Sequence, residues 1–420
     1  MIAERRVVLL MPMGIAEASL RFKQAWCIIA GMALASPALA QSGTEGAAKL
    51  EVPTQERTED APRIKALTWD ASLTMDGQTT FGGVHHAQGV AGLALVGVTV
   101  DGQAFGAKGF SANVMMAAYN GPGISGQLGD LQGVSAFSAN RMVRPINAWV
   151  MWQGDHFGVK AGIMDTNADF DEQNVGAIFL NGSHGMGPDL SMAGVNGLGT
   201  NPYSALGVIG FLKDDASGLK LRVGLFDGQP GDPENPTRIV WRRGGDAGRF
   251  VMGELDWTRP GWRIAVGGWH HSAHLPTIDG TGLTDGASGQ FAVAEGTLLG
   301  VPMGTEAPEG KTFHLDAWLR YGRSKSAAAP ITAYYGGGLV AQGFWKKFPQ
   351  DSLGVAVAHA RVPWIEGTSL GHETVLEATY QHPWGKHVVL QPNLQYLPHP
   401  GGDRERPSAL VFGLRVTLLP

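Results

Sequence analysis

The chain has 420 residues, 61 of them glycine, and only 16% of it is charged. Glycine at about twice its ordinary usage of ~7% favours strands and turns over helix bundles. A formal net charge of −5 gives no electrostatic basis for binding nucleic acid, and a lone cysteine, Cys27, excludes a disulfide framework.

Arg21 and Lys23 precede an apolar run over 25–34, and Ala38-Leu39-Ala40 supplies a small-residue cleavage pattern before Gln41. Residues 1–40 are therefore expected to be an N-terminal extension and a cleaved Sec signal peptide, with Met11 or Met13 as alternative starts. The run is shorter than the ~20 apolar residues of a membrane-spanning helix, and nothing after it is longer. Residues 41–66 are polar and charged and read as a flexible periplasmic lead-in.

From Leu67 onward, apolar and polar side chains alternate in segments near the ~9–11 residues of a tilted membrane-spanning strand. Sixteen are predicted: 67–76, 88–98, 107–119, 145–153, 157–165, 205–213, 219–227, 248–257, 262–271, 289–299, 311–322, 331–341, 352–361, 371–381, 386–397 and 408–419. Connections at 154–156, 214–218 and 258–261 are tight, whereas 166–204 and 228–247 are long. That rhythm predicts a transmembrane barrel with short periplasmic turns and long extracellular loops. With both ends of the barrel in the periplasm the strand number must be even. This parity makes 289–299 a strand despite its weak pattern and leaves a seventeenth candidate, 126–138, in a loop. A soluble β-sandwich, the alternative, would need two sheets of unusual width.

The polar faces then set inside from outside. Lys220 and Arg222 oppose Leu219, Leu221, Val223 and Leu225; Arg263 opposes Trp262, Ile264 and Val266; His314, Asp316 and Arg320 oppose Phe313, Leu315, Ala317 and Leu319. Lys160 opposes Phe157, Val159, Ala161 and Ile163, and Arg415 opposes Leu414 and Val416. Lys or Arg on the lipid face near the midplane would cost about 2–4 kcal/mol, so these groups are expected in a wet lumen with a basic stripe.

Several spaced blocks resemble the carbohydrate-selective porins, the OprB-like outer-membrane family. Gly129-Asp130-Leu131-Gln132-Gly133-Val134-Ser135 and Asn147-Ala148-Trp149-Val150-Met151-Trp152-Gln153 are similar to the stretch before the family's fourth strand and to that strand. Further blocks are Phe157-Gly158-Val159-Lys160-Ala161-Gly162 with Asp165, Asn167, Asp169 and Phe170; Phe179-Leu180-Asn181; Asn201-Pro202-Tyr203; Gly224-Leu225-Phe226-Asp227-Gly228; and Glu373, Val375 to Glu377, Tyr380, Gln391-Pro392, Gln395-Tyr396 and Pro400-Gly401-Gly402 near the C-terminus. The resemblance spans roughly 65–420 and implies a sixteen-stranded antiparallel barrel passing sugars such as glucose across the outer membrane without energy input or cofactor. It also implies outer-membrane lipid and the barrel-assembly machinery as partners, and a monomer or weak oligomer. The chain departs from the family at Asn147, where an acid is common, and at Leu418-Leu419-Pro420, where an aromatic end is usual.

A sugar offers paired donors and acceptors and apolar C–H faces. The expected track is Arg222, Arg263, Arg320, Lys160 and Arg415 as donors, Glu254, Asp316 and Glu377 as acceptors, and Asn147, Gln153, Gln391, Asn393, Gln395 and Trp149 beside them. The glycine-rich 166–204 loop, with Asp169, Asp171 and Glu172 near its start, is expected to fold inward as the constriction, together with 120–144. A general or anion-preferring porin stays open as an alternative, as does a barrel hydrolase suggested by Gly367-Thr368-Ser369-Leu370-Gly371. That serine pattern needs a following helix, and none is predicted. His270, His271 and His274 lie at a strand end, where helical convergence on zinc is not available, so no metal is expected.

Overall fold

The computed structural model describes residues 66–232, 234–240, 247–305 and 312–420. The expected signal peptide, nearly all of the lead-in, and Lys311 at the start of the eleventh predicted strand lie outside these residues. The strands are β1 (Leu67–Gly82), β2 (Gln88–Asp101), β3 (Phe110–Tyr119), β4 (Met142–Gln153), β5 (Phe157–Met164), β6 (Ala205–Asp214), β7 (Leu219–Asp227) and β8 (Arg249–Arg259). They continue as β9 (Trp262–Pro276), β10 (Leu283–Gly300), β11 (His314–Lys325), β12 (Ala333–Gln342), β13 (Ser352–Arg361), β14 (His372–Trp384), β15 (Val388–Leu397) and β16 (Ala409–Leu418). Each pairs with its sequence neighbours, and β16 closes the barrel against β1 with Asp76 opposite Arg415. Closure leaves no strand edge with unpaired backbone groups, the condition a sheet must meet in lipid.

All sixteen predicted segments are strands. The weakest, 289–299, belongs to β10, whose register shifts between Asp285 and Ala287 and again between Thr297 and Leu299. A bulge interrupts period two and puts Leu298 and Leu299 both on the surface, which is why the alternation there is poor. Residues 126–138 form no strand; a helical turn, Ser125–Leu128, ends at Gly129 in the left-handed region (φ 70°). β3 starts three residues later than expected because Gly102–Phe105 is a 3-10 turn capped by the Asp101 carboxylate. The short-long rhythm is less regular than the sequence suggests. The β10–β11 and β12–β13 connections at the turn end, 301–313 and 343–351, outrun the loop-end connections 83–87 and 277–282.

The outward face is as expected: Leu219, Leu221, Val223 and Leu225 on β7 are each more than 40% exposed, while Arg222 is 4% exposed. Exposed aromatics mark both rims, with Phe110, Phe157, Trp257 and Trp384 near the turn end and Phe81, Tyr321, Tyr335 and Tyr396 near the loop end. Two such girdles bracket a lipid-facing band. Ile163, at the loop end of β5, departs from the assignment and is buried.

The inward face is drier than the sequence implies. Ile209, Phe226, Phe250, Met252, Trp269, Phe291 and Val293 project from β6–β10 into a core completed by Met164 at the end of β5 and by Phe170, Met186, Leu190 and Leu198 of the β5–β6 connection. A second core joins Ile124, Leu128 and Val134 of the β3–β4 connection to Tyr334, Ala358, Val375, Leu397 and Val411. At these heights the strands are apolar on both faces, because one side meets lipid and the other meets folded loop.

The two faces generate a test. Val223→Lys, at the middle of β7, is expected to destabilise the barrel by about 2–4 kcal/mol, and Leu219→Lys at its turn end by about 0–1 kcal/mol, in urea unfolding from lipid vesicles.

Candidate functional site: inner loops against the channel wall

The β5–β6 connection reaches inward side chains of β8, β10, β11, β14 and β15, a spread around the barrel that only a path through the interior allows. Its backbone has irregular structure and would carry unpaired N–H groups if the wall did not receive them. Glu254 Oε2 accepts the Asp171 N–H at 2.7 Å, and Glu295 Oε1 accepts the Val175 N–H at 2.7 Å. Glu377 accepts from Leu180 at 2.6 Å and from Asn181 at 3.1 Å, one N–H on each oxygen. Gln391 Nε2 donates to the Ile178 carbonyl at 2.5 Å.

Arg320 holds the same connection by charge. Its Nε donates to Asp171 at 2.9 Å and its Nη1 to Asp189 at 2.5 Å, with all three side chains fully buried. Gly187 passes so close to this guanidinium that a Cβ there would overlap it, and Gly322 is equally tight against the Asp189 carboxylate.

The β3–β4 connection, 120–141, is fixed in the same way. Gln78 and Gln395 both donate to the Val134 carbonyl at 2.8 Å, and Glu373 accepts the Leu131 and Gln132 N–H groups. Arg415 binds Asp76 through Nε and Nη2 at 2.6 and 2.7 Å and lies over the Phe137 ring at 4.2 Å, while Ser135 donates to Asp76. The two connections also join each other, Ala136 N–H to the Leu180 carbonyl and Gly182 N–H to that of Gly133.

On β7–β10 the charges form one buried group. Arg222 reaches Glu254 at 2.6 Å and Asp256 at 3.3 Å; Arg263 reaches Asp256 at 2.5 Å, Glu295 at 3.1 Å and Glu254 at 3.6 Å. Arg263 also donates to the Glu172 carbonyl at 2.8 Å. With Lys160 on Asp169 at 2.8 Å, every inner cation of the expected track has a carboxylate partner. The basic stripe read from the sequence is therefore neutralised, by acids on neighbouring strands and on the inner loops.

The predicted residues thus divide. Glu254, Arg263, Arg320, Glu377, Gln391, Gln395, Arg415 and Asp171 are brought together as attachments of the inner loops; Arg222 supports Glu254 at 2.6 Å and Asn393 supports Glu377 at 2.5 Å. Lys160, Trp149 and Asp169 form a separate cluster in which Trp149 and Asp169 are partly exposed and Lys160 is buried, its Nζ 4.7 Å from the Trp149 ring centre. Asn147 accepts the Asp165 N–H at 3.4 Å. Asp316 binds Thr297 and His314 apart from the loops, and Gln153 lies half-buried at the turn end of β4. Glu295, Asp256 and Asp76 were missed although each is an acid on the inward face of a predicted strand, and Glu373, which belongs to the family-like C-terminal block, was not placed on the expected track. Asp189 follows Pro188 in a helical turn and left no periodic signal.

His184 packs between Phe179 and Trp318, 3.5 Å from Glu377. Burial pushes its pKa down to about 3, so this contact is made by a neutral ring. The competing motifs do not assemble. Ser369 Oγ donates to Asp403 at 2.5 Å, and β14 rather than a helix follows it. His271 is buried and bound to the Gly228 carbonyl, while His270 and His274 point outward. Among the described residues no cluster could hold a metal ion.

Two outcomes follow from these attachments. Arg320→Met leaves Asp171 and Asp189 buried without their cation, a loss of about 3–5 kcal/mol, so limited proteolysis should cut within 165–204 while the barrel persists. The triple change R320M/D171N/D189N should recover much of the protection. His184, released, would titrate near 6.5, so the attached state loses stability as pH falls from ~6.5 toward 3. The protease protection of the parent should weaken over that window more steeply than that of His184→Gln.

Comparison with known families matches residues 88–418 to the carbohydrate-selective porin, OprB family. No curated protein matches the chain. Among solved structures, the high-pH structure of Pseudomonas putida OprB is similar with a TM-score of 0.71 at 17% identity, over 84% of this chain and 94% of that one. The low-pH structure of the same protein gives 0.50 at 14% identity, over 84% and 92%. A loop L8 deletion mutant of Vibrio cholerae OmpT gives 0.50 at 11%, over 85% and 100%. With the family matched over nearly the whole closed barrel, the chain belongs to the carbohydrate-selective porin, OprB family: it is an outer-membrane channel for carbohydrates and not an enzyme.

Proposed function

We propose that neutral sugars diffuse past the two inner loops, which form the constriction, along the wall of β1–β5. The observation that carries this reading is the pairing of the inner cations. With Lys160, Arg222, Arg263, Arg320 and Arg415 each on a carboxylate, most of the inner cationic field is offset, which weighs against the anion-preferring alternative; Arg144 on β4, held by the Pro236 carbonyl and the Tyr203 ring, is an inner cation without a carboxylate partner among the described residues. The β1–β5 wall offers hydroxyl and amide groups instead, among them Ser72, Thr74, Thr99, Ser111 and Asn113. Such groups exchange hydrogen bonds with sugar hydroxyls without binding them deeply, and transport requires release.

Within that track we assign sugar contact to Trp149, Lys160 and Asp169. A partly exposed indole beside a paired ammonium and carboxylate offers an apolar face next to a donor and an acceptor. Asn147, Gln153, Asp316 and Glu172 are assigned supporting roles along the wall. Export through a signal peptide cut near Ala40-Gln41, insertion by the barrel-assembly machinery, and a monomeric or weakly associated state complete the proposal.

The test is single-channel conductance in planar bilayers with glucose and longer saccharides, alongside liposome swelling with amino acids and organic anions of matched size. Sugars should reduce the current and cross faster than matched anions; equal or faster anion passage would refute the reading. Trp149→Ala should weaken the sugar block ~2–10-fold, the equivalent of about 0.5–1.5 kcal/mol for one aromatic contact. Deleting part of 176–196 should raise conductance and abolish the block; unchanged conductance would remove the constriction role.

A further inference from the structure

The outer wall carries a cluster of cations that the channel does not use. Three rows of outward residues cross β11–β14 at their loop end, set by the strand register. The lowest row is Leu319, Gly337, Val357 and Leu376; the next is Tyr321, Tyr335, His359 and Thr374; the highest is Arg323, Ala333, Arg361 and His372. Leu319 is 67% exposed, as a lipid-facing residue would be. In the middle row the Tyr321 and Tyr335 rings lie 5.3 Å apart, and the His359 ring is 6.2 Å beyond. Lys325 continues β11 past the top row, and the Arg404 guanidinium lies against Gly371, next to His372.

Among the described residues, none of Arg323, Lys325, Arg361 and Arg404 makes an ion pair, in contrast to the paired inner cations. The loop acid Asp403 is already engaged by Ser369 and Arg406. At the same end of the barrel, the outward positions of β16, β1 and β2 are the apolar Leu410, Phe81 and Val90. Arg249, at the loop end of β8, is a further exposed cation without an ion pair among the described residues, but it stands singly; the β11–β14 sector gathers four, at the height where lipid headgroups meet the wall.

We propose that this sector binds a phosphorylated, acylated glycolipid of the outer leaflet. Arg323 and Arg361 are two strands apart, roughly 10 Å at ~4.8 Å per strand, a spacing that suits two phosphate groups on one headgroup better than a single phosphate. Guanidinium forks match phosphate oxygens in geometry as well as charge. The tyrosine row beneath meets the sugar faces, and the aliphatic row meets the acyl chains.

The experiment uses the full chain in a non-ionic detergent micelle, with native mass spectrometry and diphosphorylated or dephosphorylated lipid A as probes. The parent should retain the diphosphorylated form at least ten-fold more strongly. Arg323→Gln with Arg361→Gln should lower that retention about ten-fold or more, with sugar block of conductance unchanged. Should the double variant fail to assemble, Arg361→Gln alone and a salt titration of the parent carry the test: both should weaken retention. Equal retention of the two lipids, or of parent and variant, would overturn the proposal. So would full competition by millimolar inorganic phosphate, which would make the site one for free phosphate. A change in oligomeric mass with lipid retention intact would instead make the sector a protein interface, and the proposal would fail.

Discussion

Irregular backbone inside a membrane barrel is tolerated only where protein or water satisfies its N–H and C=O groups. Two long connections run through this barrel, and the wall meets that requirement with a few side chains. Glu254, Glu295, Glu373 and Glu377 each accept backbone N–H groups, and Gln78, Gln391 and Gln395 donate to carbonyls. A carboxylate can take two N–H groups at once, as Glu377 does from Leu180 and Asn181, which a strand backbone already occupied by its ladder cannot.

The charge pattern follows from the same constraint. Acids needed to hold the loops would repel one another in a confined interior, and the arginines between them offset that repulsion. Arg263 touches three carboxylates and Arg222 two, while Arg320 bridges Asp171 and Asp189 on the loop itself. The result is a charge-paired inner wall on the β6–β16 side and a polar surface on the other, where Lys160 is paired with Asp169 and Arg144 is held by the Pro236 carbonyl and the Tyr203 ring. For uncharged, hydroxyl-rich solutes such a lining gives many weak contacts and no deep trap.

Much of the fold was legible because lipid imposes a strict rule on one face of every strand. Leu219, Leu221, Val223 and Leu225 could face only outward once Arg222 was assigned inward, and turn parity exposed β10 where its own bulged pattern was too weak. The inner face obeys no comparable rule. Phe250, Met252 and Trp269 point inward yet are apolar, because loop residues such as Phe170 and Leu190 cover them. Nothing local in the sequence distinguishes a wall residue that meets water from one that meets a folded loop.

The sequence by itself determined a sixteen-stranded barrel, its outward face, its family, and the bases and some of the acids that line its interior. Only the tertiary structure decided what those lining groups do. Arg320 finds Asp171 and Asp189, and Gln395 finds Val134, across separations along the chain that no period of two or of 3.6 can report. Alternation encodes which side of a strand a residue occupies; the fold of the inner loops decides whether that side is channel or protein.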